Sequence, residues 1–314
     1  MGDQKSSAIV LEGSTPSWRQ LELDAHESCN RLFAKHIEDP VIGAMKSMVH
    51  GARVTGEEFD RVLDWLGKVR ASAAHMATAF SGHSLVLHYG DHAFPNWRIG
   101  LYDRVAFFFR VDTYQDALDL WECTDPGFLT TPGALAIRIK DLVIVTVSNN
   151  FLLSQAFGLM NRIEVSGVLT NVPGNDEWAA GFGFRRTRLE KALVVAQPMR
   201  RYHLREGLQN PSRSLKENGD GNVYHLEKGR WCRTKSVDFS GLYTLPYELG
   251  YDLSCLEVIE WLLWQKHNDY VLSGRPEGFA AKQSAPGLNA AKQLFIDRIG
   301  RLKSGDKPSW DDQL

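Results

Sequence analysis

The chain has 314 residues, of which 43% are hydrophobic and 24% are charged, so it has ordinary globular composition and enough length for one large domain or two smaller ones. Its formal net charge of −2 argues against a protein that coats nucleic acid or binds a membrane through bulk positive charge. The four cysteines form no CxxC pair, and no apolar run reaches the length of a membrane span. We therefore expect a cytoplasmic protein without a disulfide framework or a membrane segment.

The N-terminal part of the sequence predicts a polar, disordered start followed by two helices. Residues 1–14 are polar, and the apolar positions of 15–80 recur at helical spacing. The first helix is expected to end at the Asp39–Pro40 pair, since proline interrupts a helix interior. The second is expected to begin at Thr55, where Glu58 three residues later completes a capping box.

The middle of the sequence predicts three further helices. One is expected over residues 97–109, with its apolar residues facing inward. The most apolar segment, 135–160, contains a Val-Ile-Val-Thr-Val run that could be a buried strand, but its length favours a long buried helix. A helix over 177–208 is expected to kink at Pro198.

The C-terminal part predicts a β-hairpin near 223–237, where two strand-like runs flank Gly229. A helix is expected from Asp252 onward, and residues 276–314 are expected to hold a last helix and a polar tail. The helix from Asp252 is apolar over more than one stripe, which favours burial on two sides or a homodimer contact. The expected fold is thus a mainly α helical bundle with an N-terminal helical addition and a small hairpin.

Residues 200–207 read Arg-Arg-Tyr-His-Leu-Arg-Glu-Gly. This segment resembles the signature of the HEPN superfamily of helical-bundle ribonucleases, in which an arginine, a polar residue and three variable residues precede a histidine, often followed by an acid and a glycine. Arg200 matches the arginine, Arg201 stands at the polar position, and Arg205 stands where the histidine belongs. The segment 101–108, with an Asp-Arg pair in an apolar run, is similar to an early helix of some prokaryotic HEPN families. The resemblance covers about residues 80–275 and implies a HEPN-like bundle that commonly dimerises.

The resemblance implies a metal-independent endoribonuclease of the defence or toxin type, with RNA as partner and no cofactor. Guanidinium groups suit phosphate oxygens, and a histidine can move protons at neutral pH. Arginine stays protonated, so Arg205 cannot act as the base, and His203 lies on a different helical face. The expected catalytic residues are Arg200, His203 and Arg205, and the expected substrate-binding residues are Arg201, Tyr202, Arg185 and Arg188.

Two other functions remain open from the sequence. The arginines of 200–207 could be the basic end of a helix that Gly207 caps, in a non-catalytic protein–protein interaction module. The loop from His83 to His92 contains His88 and Asp91, and imidazole and carboxylate groups suit zinc or manganese, so a metal-dependent hydrolase is a third hypothesis. A hydrogen-bonded loop without a metal is the alternative there.

Overall fold

A computed structural model describes residues 26–80, 102–112, 118–121, 134–150, 157, 159, 162–171, 187–198, 222–272 and 286–304. The helices are α1 (Glu27–Phe33), a π-helical turn (Ala34–Glu38), α2 (Asp39–Val49), α3 (Gly56–Phe80), α4 (Tyr247–Leu272) and α5 (Pro286–Ser304). The strands are β1 (Arg53–Thr55), β2 (Tyr102–Val111), β3 (Leu118–Trp121), β4 (Ala134–Ile139), β5 (Leu142–Asn150), β6 (Arg162–Val165), β7 (Val168–Asn171), β8 (Leu193–Gln197), β9 (Tyr224–Glu227), β10 (Arg230–Arg233), β11 (Ser236–Asp238) and β12 (Thr244–Leu245).

A large sheet lies at the centre of the described structure. Its strands follow the order β3, β4, β5, β2, β8, β9, β10, β7, β6, and each neighbouring pair is antiparallel. The strand β12 pairs with β2 in parallel, beyond the residues that pair with β8. The longest ladder joins β2 to β5, from Tyr102 opposite Asn150 to Arg110 opposite Leu142. This ladder fixes which side chains face each side of the sheet.

Two-residue turns close three of the hairpins. The turns Ser166–Gly167 and Lys228–Gly229 have positive φ at both residues, which matches the twist of the strands they join. Lys140 adopts the same left-handed region, at φ 57°, between β4 and β5. The turn at Gly229 joins β9 to β10 where the sequence predicts a hairpin.

Helices cover both faces of the sheet. On one face, Phe108 of β2 contacts Phe59 of α3, with ring centroids 5.7 Å apart. On the other, Phe107 contacts Phe157, whose ring lies 5.7 Å from that of Trp261 on α4. The helix α5 packs against α4 from outside. One continuous apolar core therefore joins α2, α3, the sheet and α4.

The expectation of a mainly α, all-helical bundle is wrong, because the described core is built on this antiparallel sheet. The helix expected over 97–109 overlaps β2, and the long helix expected over 135–160 contains β4 and β5 instead. Within the helix expected over 177–208, the described residues 187–198 contain β8. The described side chains at the centres of these strands are buried on both faces, so their sequences are mainly apolar and lack the alternation by which a half-buried strand is recognised.

The helices near the N-terminus differ from their predicted bounds in one respect. The predicted capping box forms: Thr55 N donates to Glu58 Oε2 at 2.7 Å, and Glu58 N donates to Thr55 Oγ1 at 3.2 Å. The prediction that Pro40 ends the preceding helix is wrong. A π-helical turn precedes α2 and places Pro40 in the first turn, where a missing N–H is tolerated.

The sequence also predicts domain boundaries after residues 14, 80 and 275. Each of these positions lies in or next to a segment that the structure does not describe, so the boundaries stay predictions.

The helix α4 begins at Tyr247, five residues before the predicted start at Asp252. It contacts the sheet on one side and α5 on the other, so its several apolar stripes are covered within the chain. Burial on two sides, one of the two alternatives that the sequence left open, accounts for them.

The approach of α4 to β2 leaves no room for a side chain at Gly250. A Cβ there would overlap Cγ1 of Val111 and lie 3.3 Å from Cε2 of Phe109. We expect Gly250→Ala to lower the free energy of unfolding by about 1–3 kcal/mol. A Cβ at Gly43 in α2 would meet no heavy atom within 4 Å, so Gly43→Ala should raise the free energy of unfolding by about 0.5–1 kcal/mol. Urea denaturation of both variants measures the contrast, and equal effects would contradict the close approach.

Candidate functional site

A groove of about 610 Å³ lies between α2, α3 and the turn that joins β4 to β5. Volumes of this size are typical of sites for small organic ligands. Its lining is mainly apolar with charged groups at the ends: Glu38, Val41, Ile42, Met45, Lys46, Val49, His50, Trp65, Lys68, Val69, Ser72, Ile139 and Lys140.

The helix α2 carries two apolar stripes, one buried in the core and one that packs against the edge of the core and lines the groove. Ala44 and Met48 are buried against the rest of the protein. Ile42, Met45 and Val49 recur at spacings of three and four, so they lie on a second face of the same helix, which lines the groove. Ile42 remains 47% exposed. This second stripe leaves apolar surface uncovered at the mouth of the groove.

The helix α3 supplies the opposite wall. Its residues Phe59, Val62 and Leu66 are fully buried in the core. Trp65 and Val69 lie beside that stripe and reach the groove. Trp65 is only partly buried, so its indole contacts both the core and the space inside the groove.

Arg110 of β2 holds in place the third wall of the groove, which is the turn between β4 and β5. Its guanidinium Nη2 donates to the carbonyl oxygens of Met48 and Val49, at 2.9 and 3.0 Å, which are among the last carbonyls of α2. Its Nη1 forms an ion pair with Asp141. This one side chain therefore ties the C-terminal end of α2 to the β4–β5 turn, and it brings Ile139 and Lys140 to the groove.

The two ends of the groove differ in charge. At the end near the start of α2, Lys68 forms an ion pair with Glu38, and its ammonium lies 5.0 Å from the centroid of the Phe33 ring. Burial lowers the pKa of Lys68 from its ordinary value. At the other end, Lys46 and Lys140 are exposed. Asp141, which follows Lys140 in the turn, forms an ion pair with Arg110.

A second polar cluster lies inside the protein, between α3 and the sheet. Arg104 of β2 is 2% exposed, and its Nη1 donates to Asp64 Oδ1 at 2.6 Å. Its Nε donates to Gln197 Oε1 at 2.9 Å, and Gln197 in turn donates to Asp60 Oδ1 at 2.9 Å. The charged and amide groups satisfy one another, which is the condition for burying them at low cost. We interpret this cluster as structural.

A third cluster joins α4 to α5. Asp252 is fully buried, and its Oδ1 lies 2.9 Å from Nη2 of Arg298. Burial raises the pKa of the Asp252 carboxyl to about 6, and the Arg298 charge opposes this rise. On the same helix, Glu257 accepts hydrogen bonds from the backbone N–H of Arg188 and from Nε1 of Trp261, both at 2.8 Å.

Most of the predicted ribonuclease site lies outside the described residues. This applies to Arg200, His203 and Arg205 and to the expected substrate-binding residues Arg185, Arg201 and Tyr202. Arg188 is described: its Nη2 lies 3.2 Å from Oε1 of Glu260 in α4. The Arg188 side chain is thus engaged with an acid of its own chain.

The metal-site hypothesis also falls outside the described part of the chain, because residues 81–101 include the whole His83–His92 loop. Within the described ranges, no group of three or more His, Cys, Asp or Glu side chains is placed to hold a metal ion. Likewise, none of the described helices is long and apolar enough to cross a membrane.

Comparisons with protein-family models, with curated proteins and with solved structures found no match for this chain. The groove is therefore interpreted from its own geometry. The sequence contains a signal for it that we missed: after Pro40, Val41, Ile42, Met45, Met48 and Val49 follow helical spacing over more than one stripe. The contributions of Ile139 and Lys140 have no such signal, because they depend on how the sheet packs against α2.

Removing the Arg104 side chain should leave the buried carboxylate of Asp64 and the partly buried carboxylate of Asp60 without their cation. We expect Arg104→Met to lower the free energy of unfolding by about 3–5 kcal/mol. Adding Asp64→Asn should restore part of this loss, because it removes one uncompensated charge. Arg61→Met is the control, since Arg61 pairs with Glu57 on the exposed face of α3 and should cost at most about 0.5 kcal/mol. Chemical denaturation gives all three values, and equal losses for Arg104→Met and Arg61→Met would contradict the network.

The buried carboxyl of Asp252 should make stability depend on pH. Its pKa is raised in the folded state, so its contribution is present below the unfolded value and is lost as the pH rises through about 6. From about pH 4 to about pH 7, the wild type should lose about 3 kcal/mol relative to Asp252→Asn. Urea denaturation at both pH values measures the difference, with Asp297→Asn on the exposed face of α5 as the control. Parallel pH profiles for wild type and Asp252→Asn would rule out the effect.

Proposed function

We propose that this chain is a small-molecule binding protein, which holds the apolar part of its ligand in the groove between α2 and α3. The observation that carries the proposal is the apolar lining of a space of about 610 Å³, in which Ile42 of α2 stays 47% exposed beside the partly buried side chains of Met45 and Val49. Apolar side chains that remain next to open space lower their free energy when a ligand displaces the water there.

The lining supports binding more directly than catalysis. Among the described lining residues, Glu38 and His50 belong to the side-chain types that most often serve as general acids or bases in enzymes. Glu38 is paired with Lys68, and Nδ1 of His50 lies 2.7 Å from the backbone oxygen of Lys46. Both groups are thus engaged at the ends of the groove, away from its apolar middle.

The functions expected from the sequence stay predictions. The endoribonuclease, the protein–protein interaction module and the metal-dependent hydrolase depend on segments such as 200–207 and the His83–His92 loop, which lie outside the described residues. RNA as a partner and a homodimer through the C-terminal helix also stay predictions. A cytoplasmic location is proposed on the cysteines: Cys29, Cys232 and Cys255 form no disulfide.

Binding of uncharged alkanols tests the proposal without involving the charged ends of the groove. We expect octanol, decanol and dodecanol to bind with Kd values that fall roughly tenfold for each two added carbons, because each buried methylene contributes about 0.8 kcal/mol. The change in Trp65 fluorescence on titration measures binding, and Trp65→Phe identifies the part of the signal that comes from the groove.

A matched pair of variants tests whether the alkanol binds in the groove. Ile42 in α2 and Leu294 in α5 are both apolar helix residues, 47% and 43% exposed, but only Ile42 lines the groove. We expect Ile42→Ser to weaken decanol binding about three- to tenfold and Leu294→Ser to leave it unchanged. Absence of saturable alkanol binding, or equal effects of the two variants, would refute the proposed function.

A further inference from the structure

One end of the groove holds a lysine that is set into its wall. Lys68 lies on the face of α3 that also carries Trp65 and Ser72, at spacings of three and four residues, and all three line the groove. The side chain of Lys68 is 15% exposed, whereas the other two lysines of the lining, Lys46 and Lys140, are exposed. Lys68 therefore presents a mostly buried amine to an apolar space.

The surroundings of this amine act on its proton in two directions. The ammonium forms an ion pair with Glu38 of the π-helical turn and lies 5.0 Å from the centroid of the Phe33 ring, and both contacts favour the charged form. Burial favours the neutral amine, and it lowers the pKa of Lys68 from its ordinary value. The carboxylate of Glu38 is also a base in contact with the ammonium, so it can accept the proton that the amine gives up.

We infer that Lys68 binds a carbonyl compound covalently, as a Schiff base with an aldehyde or ketone whose hydrocarbon part lies along Met45 and Trp65. This inference rests on the proposed function and adds the chemical class of the ligand. Burial is what makes a lysine amine available as a nucleophile towards carbonyl groups. An apolar groove that ends at such an amine matches a molecule with a hydrocarbon chain and a reactive carbonyl.

The reaction balances with the two groups that are present. The Lys68 ammonium gives a proton to Glu38, the lone pair of Nζ bonds to the carbonyl carbon, and the carbonyl oxygen takes the proton back from Glu38. Glu38 then accepts a proton from Nζ and donates it to the hydroxyl, which leaves as water while the C=N bond forms. The product is an iminium ion, so a positive charge remains beside the Glu38 carboxylate and the ion pair of the free protein is kept.

Reductive trapping with octanal tests this inference on the wild-type chain. Sodium cyanoborohydride reduces the iminium ion to a stable secondary amine, and peptide mass mapping gives the extent of modification at each lysine. Lys292 is the matched lysine, because it is a partly buried helix residue 3.4 Å from Glu260 but does not line the groove. At neutral pH, we expect octanal to modify Lys68 about tenfold faster than Lys292, because a lower pKa leaves more neutral amine and the groove concentrates the aldehyde. Propanal, which has little hydrocarbon, should show a smaller preference.

Octanol and two variants assign the reaction to the groove. Octanol has the same hydrocarbon length as octanal but no carbonyl, so an excess of it should protect Lys68 and leave the modification of Lys292 unchanged. Lys68→Arg keeps a cation beside Glu38 but cannot form an imine, so it should remove the fast incorporation of octanal. Lys292→Arg should retain it. The map of the wild-type protein needs neither variant, so the test holds even if Lys68→Arg fails to fold.

The outcomes separate this inference from the proposed function. If octanol does not bind, the proposed function fails and the inference fails with it. If octanol binds but octanal modifies Lys68 no faster than Lys292, only the inference is overturned. It is also overturned if octanol does not protect Lys68, or if propanal and octanal show the same preference for it, because the reaction would then take place outside the groove.

Discussion

The burial of β2, β4 and β5 on both faces is the constraint on which the rest of the structure depends. Helices α2 and α3 cover one face and α4 covers the other, so residues such as Phe107 and Phe108, adjacent in sequence, enter opposite halves of the core. Any polar group in these strands must then find its partner inside the protein. Arg104 does so through the carboxylates of α3, which fixes how α3 lies on the sheet.

The same constraint explains which parts of the fold could be predicted. The hairpin near 223–237 was recognisable because β9 and β10 are partly exposed and bounded by a turn with glycine. The start of α3 was recognisable because Thr55 and Glu58 form a local motif. By contrast, β4 and β5 are mainly apolar, and apolar runs are equally compatible with buried helix. The turn between them is local, but the pairing of β5 with β2 joins segments that are distant in sequence and cannot be predicted from either segment alone.

One wall of the groove can be predicted from local sequence, and the wall that faces it cannot. The stripe of Ile42, Met45 and Val49 is local, and its helical spacing can be read from the sequence. The wall that faces it is not local, because Ile139 reaches α2 only through the β2–β5–β4 register and through Arg110, which binds both α2 and the turn after Ile139. A sequence can therefore indicate that α2 has surplus apolar surface, but it does not indicate whether another element covers it.

Charge pairing holds the walls of the groove together. Several buried or partly buried cations in the described structure have an acid beside them: Arg104 has Asp64, Arg110 has Asp141, Arg298 has Asp252 and Lys68 has Glu38. Two of these pairs border the groove. The Lys68–Glu38 pair joins α3 to the π-helical turn, and Arg110 joins β2 to the β4–β5 turn and to the last carbonyls of α2. The shape of the groove therefore depends on charges that are paired within the chain, and the affinity for a ligand would come from its apolar lining.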